Sequence, residues 1–224
     1  MKVCILYSGG KDSNLALLKA YNIFRVVCLV SIFPRSVENS LFHYPNINLV
    51  RFQSEALGIP LLTEDSLDDE ESNLEALYRV LGRAKEKYQI EGVVTGAIRS
   101  TYQASRFQRV CWDLDLWCFN PLWLTDQISL LKEALNSNFE VIFTRIAGYP
   151  LKKDLVGKKL DYTIIEYFKK ISNILNPAGE GGEYETLVLD MPLFRKKLEI
   201  LNYEVVGDDY DATLIVKDVR LVSK

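Results

Sequence analysis

"YSGGKDSNLALLKA", residues 7–20, follows the short apolar run Val3–Leu6, and its reading decides the fold. Adjacent glycines, a lysine, an aspartate and two serines stand where a strand turns into a helix. Glycine backbone takes positive φ at little cost and lets a ligand come close. Free amides at a helix N-terminus, with the helix dipole behind them, attract phosphate oxygens. Lys11 adds a cation, and Ser8 and Ser13 add hydroxyl donors. Asp12 is suited to capping the helix or to holding Mg²⁺. The spacing fits neither G-x-x-x-x-G-K-[ST] nor G-x-G-x-x-G.

Outward from this turn, strand-like and helix-like patterns alternate. A strand is expected over 2–7, a helix over 12–24, and a second apolar strand over 26–33, followed by a polar loop. A helix near 47–58 should end on Gly58, and Ile59–Leu62 reads as a strand. Leu74, Leu77, Leu81, Ala84 and Tyr88 recur at helical spacing, and "GVVTGAI" at 92–98 is another buried strand. Such alternation predicts an α/β fold, a mostly parallel sheet with helices on both faces. In open sheets of this kind ligands bind beyond the carboxyl ends of the strands, where Ser8–Ser13 lies. After Pro121-Leu122-Trp123 the pattern shifts to a helix at 126–136, a strand at 139–147, a helix through Ile164–Leu175, and strands from Thr186 onward. The expected division is 1–123 and 124–224, the second part a smaller, mixed α+β domain.

Bulk properties narrow the classes. At 224 residues, 48% hydrophobic, 25% charged and a formal charge of −3, the chain resembles an ordinary soluble globular protein without a general nucleic-acid coat. No apolar run approaches the roughly 20 residues that span a bilayer. The N-terminus does not look like an export signal, so a cytoplasmic setting is expected. Cys4, Cys28, Cys111 and Cys118 include no C-x-x-C pair, and His43 is the single histidine, which disfavours structural zinc.

A second glycine loop, "GEGGEYETLVLD" at 179–190, packs Glu180, Glu183 and Glu185 around Gly181 and Gly182 and runs into an apolar strand. A solvated acidic turn is the plain reading. Carboxylates facing a cleft can instead hold a metal, attract a cationic substrate or act as a general base.

"SGGKDS" (8–13) is similar to the signature of the PP-loop ATP pyrophosphatases, a HUP/Rossmann-like fold that cleaves ATP between the α- and β-phosphates. With "FHYPNINLVRFQSEALGIPL" (42–61), "GVVTGAIRSTYQASRFQRVC" (92–111), "PLW" (121–123) and "GEGGEYETLVLDMPLF" (179–194), the chain resembles the diphthine–ammonia ligases, or diphthamide synthases, in their single-module archaeal form. That resemblance implies conversion of diphthine on translation elongation factor 2 to diphthamide. ATP activates the carboxylate as an acyl-adenylate and ammonia displaces AMP.

The same resemblance assigns Ser8, Gly9, Gly10, Lys11, Asp12 and Ser13 to ATP, with Mg²⁺ near Asp12. It gives Ser31 and Ile32 to adenine, Gly96, Ala97 and Ile98 to ribose or adenine, and a binding role to His43. Tyr102 and Gln103 would reach the acyl-phosphate region. The loop from Glu180 through Gly181, Gly182, Glu183, Tyr184 and Glu185 to Thr186 would take the acceptor. Tyr184 is the aromatic candidate for the trimethylammonium group. Glu183 and Glu185 are candidates for attracting that cation or accepting a proton. Packing competes with binding at Ser31, Ile32 and Gly96. Trp112, Trp117 and Trp123 are expected in the core.

The seven carboxylates within 64–75 carry no compensating base in that stretch and read as a solvated face. Lys152, Lys153, Lys158 and Lys159 are either solubilising or a docking patch for elongation factor 2. Ammonium would be taken free or from another protein, since no glutaminase module is present. A homodimer is left open. The rival readings are another PP-loop activity such as tRNA modification, or an adenine-nucleotide regulator without chemistry. Thiolation is disfavoured because the sequence contains no closely spaced cysteine pair.

Overall fold

A computed structural model describes residues 1–34, 46–67 and 69–224, so His43 and Asp68 lie outside the described residues. The chain folds as two compact units, Met1–Ser8 with Asp12–Trp123, and Gly9–Lys11 with Leu124–Lys224.

The first unit is built on a five-stranded parallel sheet of order β3-β2-β1-β4-β5. Its strands are β1 (Lys2–Leu6), β2 (Arg25–Pro34), β3 (Leu61–Ser66), β4 (Gly92–Val94) and β5 (Trp117–Phe119). Between them run α1 (Lys11–Tyr21), α2 (Val50–Leu57), α3 (Glu70–Tyr88) and α4 (Thr101–Asp113). Successive residues Val3, Cys4 and Ile5 are all buried, as are Cys28, Leu29 and Val30, so both faces of the central strands are covered. On one face, Cys4, Cys28, Val30 and Val93 pack with Ala76, Leu77, Val80 and Leu81 of α3 and Phe107, Val110 and Cys111 of α4.

The expected parallel sheet is present, with local differences. Gly58 ends α2 in the left-handed conformation, φ 66°, as a C-terminal glycine cap requires. The strand expected over 92–98 stops at Val94, and 95–100 is irregular. The three-residue β5, too short to carry a period, extends the sheet beyond β4. The acidic stretch 64–75 is solvated as expected, with Asp65, Asp69, Glu70, Glu71 and Glu75 exposed, and some of its carboxylates find partners outside the stretch. The Asp69 side chain caps α3 by accepting from Ser72 N–H at 2.8 Å. Glu64 pairs with Arg79 and Arg83, Glu75 with Arg79, and Glu70 with Arg106.

Two of the tryptophans depart from the core expectation. The buried stripe of α4 is Ala104, Phe107, Val110 and Cys111, which turns Trp112 outward, 83% exposed. Trp117 begins the edge strand and is also exposed. The cysteines lack close spacing in sequence but meet in space. Cys4 and Cys28 are partners in the β1–β2 register, and Cys111 and Cys118 are close enough to perturb each other's titration. The neighbouring thiol holds Cys118 below its ordinary pKa, and together with burial it pushes Cys111 up.

The second unit carries a four-stranded antiparallel sheet of order β7-β6-β9-β8. The strands are β6 (Glu140–Ala147), β7 (Tyr184–Asp190), β8 (Lys196–Gly207) and β9 (Asp211–Ser223), accompanied by α5 (Gln127–Asn136) and α6 (Tyr162–Lys170). Asp126 and Asp161 cap the two helices through their side chains. Helix α6 ends at Lys170, short of the Leu175 expected from periodicity. The four lysines expected as a basic patch are mostly engaged within the unit. Lys153 donates to the Gly207 carbonyl, Lys158 pairs with Asp154, and Lys159 pairs with Glu140. No helix among the described residues is long and apolar enough to cross a membrane.

Candidate functional site

Strand order β3-β2-β1-β4-β5 reverses direction between β1 and β4, which makes the ends of those strands the switch point of the sheet. Ser8–Ser13 follows β1 and Gly96–Ile98 follows β4. The two stretches touch. A Cβ placed on Gly96 would lie 2.9 Å from the Asp12 carbonyl carbon and 2.9 Å from the Ser13 nitrogen. Glycine at 96 therefore lets the first turn of α1 rest against the end of β4.

Within the turn, Gly9 has φ 83°, a left-handed conformation that glycine adopts freely. Ser8 Oγ donates to Ser13 Oγ at 3.1 Å, and Ser13 is buried. Tyr7, directly before the turn, is buried and donates its hydroxyl to Asn14 Oδ1 at 2.7 Å. Burial pushes the Tyr7 hydroxyl well above its ordinary pKa, although the Asn14 bond opposes this. Ser31 is buried and spends its hydroxyl on the Tyr7 carbonyl at 2.5 Å, so only its backbone is available to a base. Ile32, Ala97 and Ile98 are buried too.

Sequence reasoning missed Thr95 and Asn120, which shape the turn after β4. Thr95 Oγ1 donates to Asn120 Oδ1 at 2.5 Å and accepts from Ala97 N–H at 3.2 Å. Thr95 lay inside a run read as strand, and nothing local marked Asn120. Tyr102 and Gln103 begin α4. The Tyr102 hydroxyl donates to Glu70 Oε2 at 2.8 Å, and the Arg106 guanidinium lies 3.4 Å from the centre of its ring. Tyr102 is thus engaged with α3, while Gln103 N–H is taken by the Ser100 cap.

Gly9–Lys11 group with the second unit, and their partners are residues of the acidic loop and β7. Gly9 carbonyl accepts from Val188 N–H at 3.1 Å, and Lys11 N–H donates to Thr186 Oγ1 at 3.1 Å. The buried Lys11 ammonium donates to the Ala178 carbonyl at 2.5 Å and stands 5.1 Å from the Tyr184 ring centre.

This corrects the reading of Tyr184 as an open face for a substrate cation. Its ring is 3% exposed, packed against Phe143 and Phe168, with its hydroxyl on the Pro177 carbonyl at 2.5 Å. The cation it faces is Lys11.

The three loop carboxylates have different surroundings. Glu183 accepts from Asn176 N–H, Asn176 Nδ2 and Gly181 N–H at 3.0, 2.6 and 2.8 Å. Glu185 stands opposite Arg145 in the β6–β7 register, where a bulge leaves Thr144 without a partner on β7. Glu180 is partly buried at the loop tip. Among the described residues no group of three His, Cys, Asp or Glu side chains could hold a metal ion.

Comparison with known proteins bears on the whole chain. The family model of the diphthamide synthase N-terminal domain matches residues 1–117, and that of the diphthamide synthase C-terminal domain matches residues 126–222. Diphthine–ammonia ligase of Bos taurus is 34% identical over 99% of this chain and 91% of its own length, and the Homo sapiens protein is equally similar. The Schizosaccharomyces pombe ligase is 35% identical over 92% of this chain, which spans 37% of that longer protein. A solved Methanocaldococcus jannaschii structure, described as a predicted subunit of tRNA methyltransferase, covers 86% of this chain and 98% of its own. Its TM-score of 0.42 and 16% identity are too low to bear on function. Matched in both halves and across nearly its full length, the chain belongs to the diphthamide synthase family, the diphthine–ammonia ligases.

Proposed function

We propose that the protein amidates diphthine on translation elongation factor 2, in the cytoplasm, using ATP and ammonium and releasing AMP and pyrophosphate. The observation that carries this reading is the family match along both halves of the chain, with the phosphate-type turn at the sheet's switch point. A carboxylate is a poor acyl donor because its negative charge repels a nucleophile and it has no good leaving group. In the proposed reaction a diphthine carboxylate oxygen attacks the α-phosphorus of ATP, and the bond to the β-phosphate oxygen breaks. The lone pair of ammonia then attacks the acyl carbon of the adenylate, AMP departs, and the amide remains.

The roles proposed for the residues follow from their chemistry. Backbone amides of Gly9 and Gly10, the Ser8 and Ser13 hydroxyls and the Lys11 ammonium would hold the departing pyrophosphate, where charge builds up. Ser31 and Ile32 would offer backbone to adenine, and Gly96, Ala97 and Ile98 would line the ribose side. Asp12 is partly exposed in the first turn of α1. One carboxylate with phosphate oxygens and water is a donor set that suits Mg²⁺, which would neutralise phosphate charge when bound. Glu180 and Glu185 would attract the trimethylammonium group and accept a proton from ammonium. Tyr102 and Gln103 would stand near the acyl end.

Reconstitution with diphthine-bearing elongation factor 2, ATP, Mg²⁺ and ammonium tests the reading. Intact mass should show conversion of acid to amide, with AMP as the nucleotide product. ADP as the main product, or AMP formation without amidation, would overturn it.

A further inference from the structure

The carboxylate of Glu183 is used in full view of its own loop. Oε1 accepts from both nitrogens of Asn176, and Oε2 accepts from Gly181 N–H. A carboxylate offers about four lone-pair positions, and three are filled here by donors of one turn. Meanwhile the Glu183 backbone carbonyl accepts from Ala147 N–H at 2.8 Å, at the end of β6. One residue therefore fastens the turn at its side chain and the sheet at its backbone. The segment it closes depends on such fastening. Gly179 and Gly182 are both left-handed, with φ of 76° and 80°, and two further bonds, Gly179 N–H to Asn176 and Gly182 N–H to Gly179, complete the turn. Gly181 lies under the brace, where a Cβ would come 2.8 Å from Glu183 Oε1 and 3.0 Å from Asn176 Nδ2.

We propose that Glu183 is a positioning residue: it braces the Asn176–Gly182 turn so that Glu180 and Glu185 are held for the acceptor, and it does not itself exchange the proton of the ammonia step. The part concerning the acceptor rests on the proposed ligase reaction, whereas the brace does not. Three of the six residues of "GEGGEY" then have one joint purpose. Gly181 leaves room for the carboxylate, Gly182 supplies the left-handed bend, and Glu183 ties the bend to Asn176.

Full-length Asn176→Ala, Gly181→Ala and Glu183→Gln proteins and the Asn176→Ala/Glu183→Gln double variant provide the test. Hydrogen exchange of the amides of 178–183, without substrates, should quicken about tenfold or more in each single variant. The double variant should be no worse than Glu183→Gln alone, because the Asn176 side chain serves the turn through its bond to the Glu183 carboxylate. Asn176→Ala, which leaves the Glu183 charge in place, should slow amidation in the same direction as Glu183→Gln. The acidic limb of the pH–rate profile should persist in the residual activity of Glu183→Gln. Unchanged exchange in all three single variants would overturn the brace. Wild-type amidation in Asn176→Ala, with Glu183→Gln inactive or stripped of its acidic limb, would assign Glu183 a chemical role. Should the native protein fail to amidate diphthine, the ligase reading falls, yet exchange still decides the brace.

Discussion

Replacing Gly96 by Ala tests whether the turn after β4 supports the turn after β1. The φ of Gly96 is ordinary, so a methyl group brings no conformational strain of its own. What it brings is a collision. The new Cβ would stand 2.9 Å from the Asp12 carbonyl carbon and the Ser13 nitrogen and 3.2 Å from the Asp12 oxygen, where ordinary contact begins at 3.4 Å. All three atoms are backbone, so no rotamer change relieves the clash, and the start of α1 has to move by about 0.5 Å. Overpacking of this kind costs about 1–3 kcal/mol of stability. The displaced backbone carries Ser13, whose hydroxyl is proposed to hold phosphate, and hydrogen bonds to charged groups contribute about 1.5–3 kcal/mol each. ATP affinity should therefore fall about tenfold or more. Urea denaturation and ATP titration by calorimetry measure the two effects on one preparation. Gly82→Ala is the control: its Cβ meets nothing within 4 Å in the middle of α3, so it should be neutral or stabilise by up to about 1 kcal/mol. If Gly96→Ala keeps stability within about 0.5 kcal/mol and binds ATP normally, the contact between the two turns does not shape the nucleotide site.

Three further outcomes are expected. Lys11→Ala should slow AMP formation about a hundredfold, the scale of one lost transition-state charge contact, and turnover within a few-fold of normal would move the phosphates elsewhere. Tyr184→Phe removes a buried hydroxyl but leaves the Pro177 carbonyl unpaired, so unfolding should show a loss of about 1–3 kcal/mol, with no loss indicating that water replaces the bond. The Tyr102 hydroxyl and then the Arg106 guanidinium hold the Glu70 carboxyl below its usual pKa. A depressed folded pKa contributes stability above the unfolded value and loses it as pH falls through the folded one, so the α3–α4 contact should weaken in acid. Carboxyl NMR titration of Glu70 checks this, and a midpoint at or above the ordinary value would refute it.

The sheet was readable because its information is local. Val3–Leu6, the residues around Val26–Phe33 and the leucine spacing of α3 each announce an element within a window of a few turns. The "SGGKDS" stretch was readable as a strand-to-helix turn for the same reason, since a strand end, two glycines and a helix start all fit in a few residues. Gly58 as the end of α2 also obeys a nearest-neighbour rule. What escaped depends on pairs far apart in the chain. Glu64 and Glu70 found Arg79, Arg83 and Arg106 only because α3 lies beside β3 and α4. Cys111 and Cys118 have no motif spacing, yet α4 and β5 bring them together.

Tyr184 and Glu183 show the sharper limit of a motif. Both stand in the stretch that most resembles the family, and a resemblance marks residues without dividing binding from support. On a strand, successive side chains point to opposite faces, so Tyr184 and Glu185 cannot share one environment. Tyr184 goes to the side where Phe143 and Phe168 pack, and Glu185 goes to the side of Arg145. The Thr144 bulge in β6 sets that arrangement, because it puts Phe143 opposite Thr186 and Arg145 opposite Glu185. An acidic loop with three equivalent-looking glutamates thus resolves into three different surroundings. Glu183 is consumed by its own turn and Glu185 is set against a cation. Glu180 is partly buried at the tip, and its replacement by Gln tests acceptor binding separately from the brace. A rise in acceptor KM with unchanged exchange at 178–183 is the expected result for Glu180→Gln, and faster exchange there would show that it too belongs to the brace.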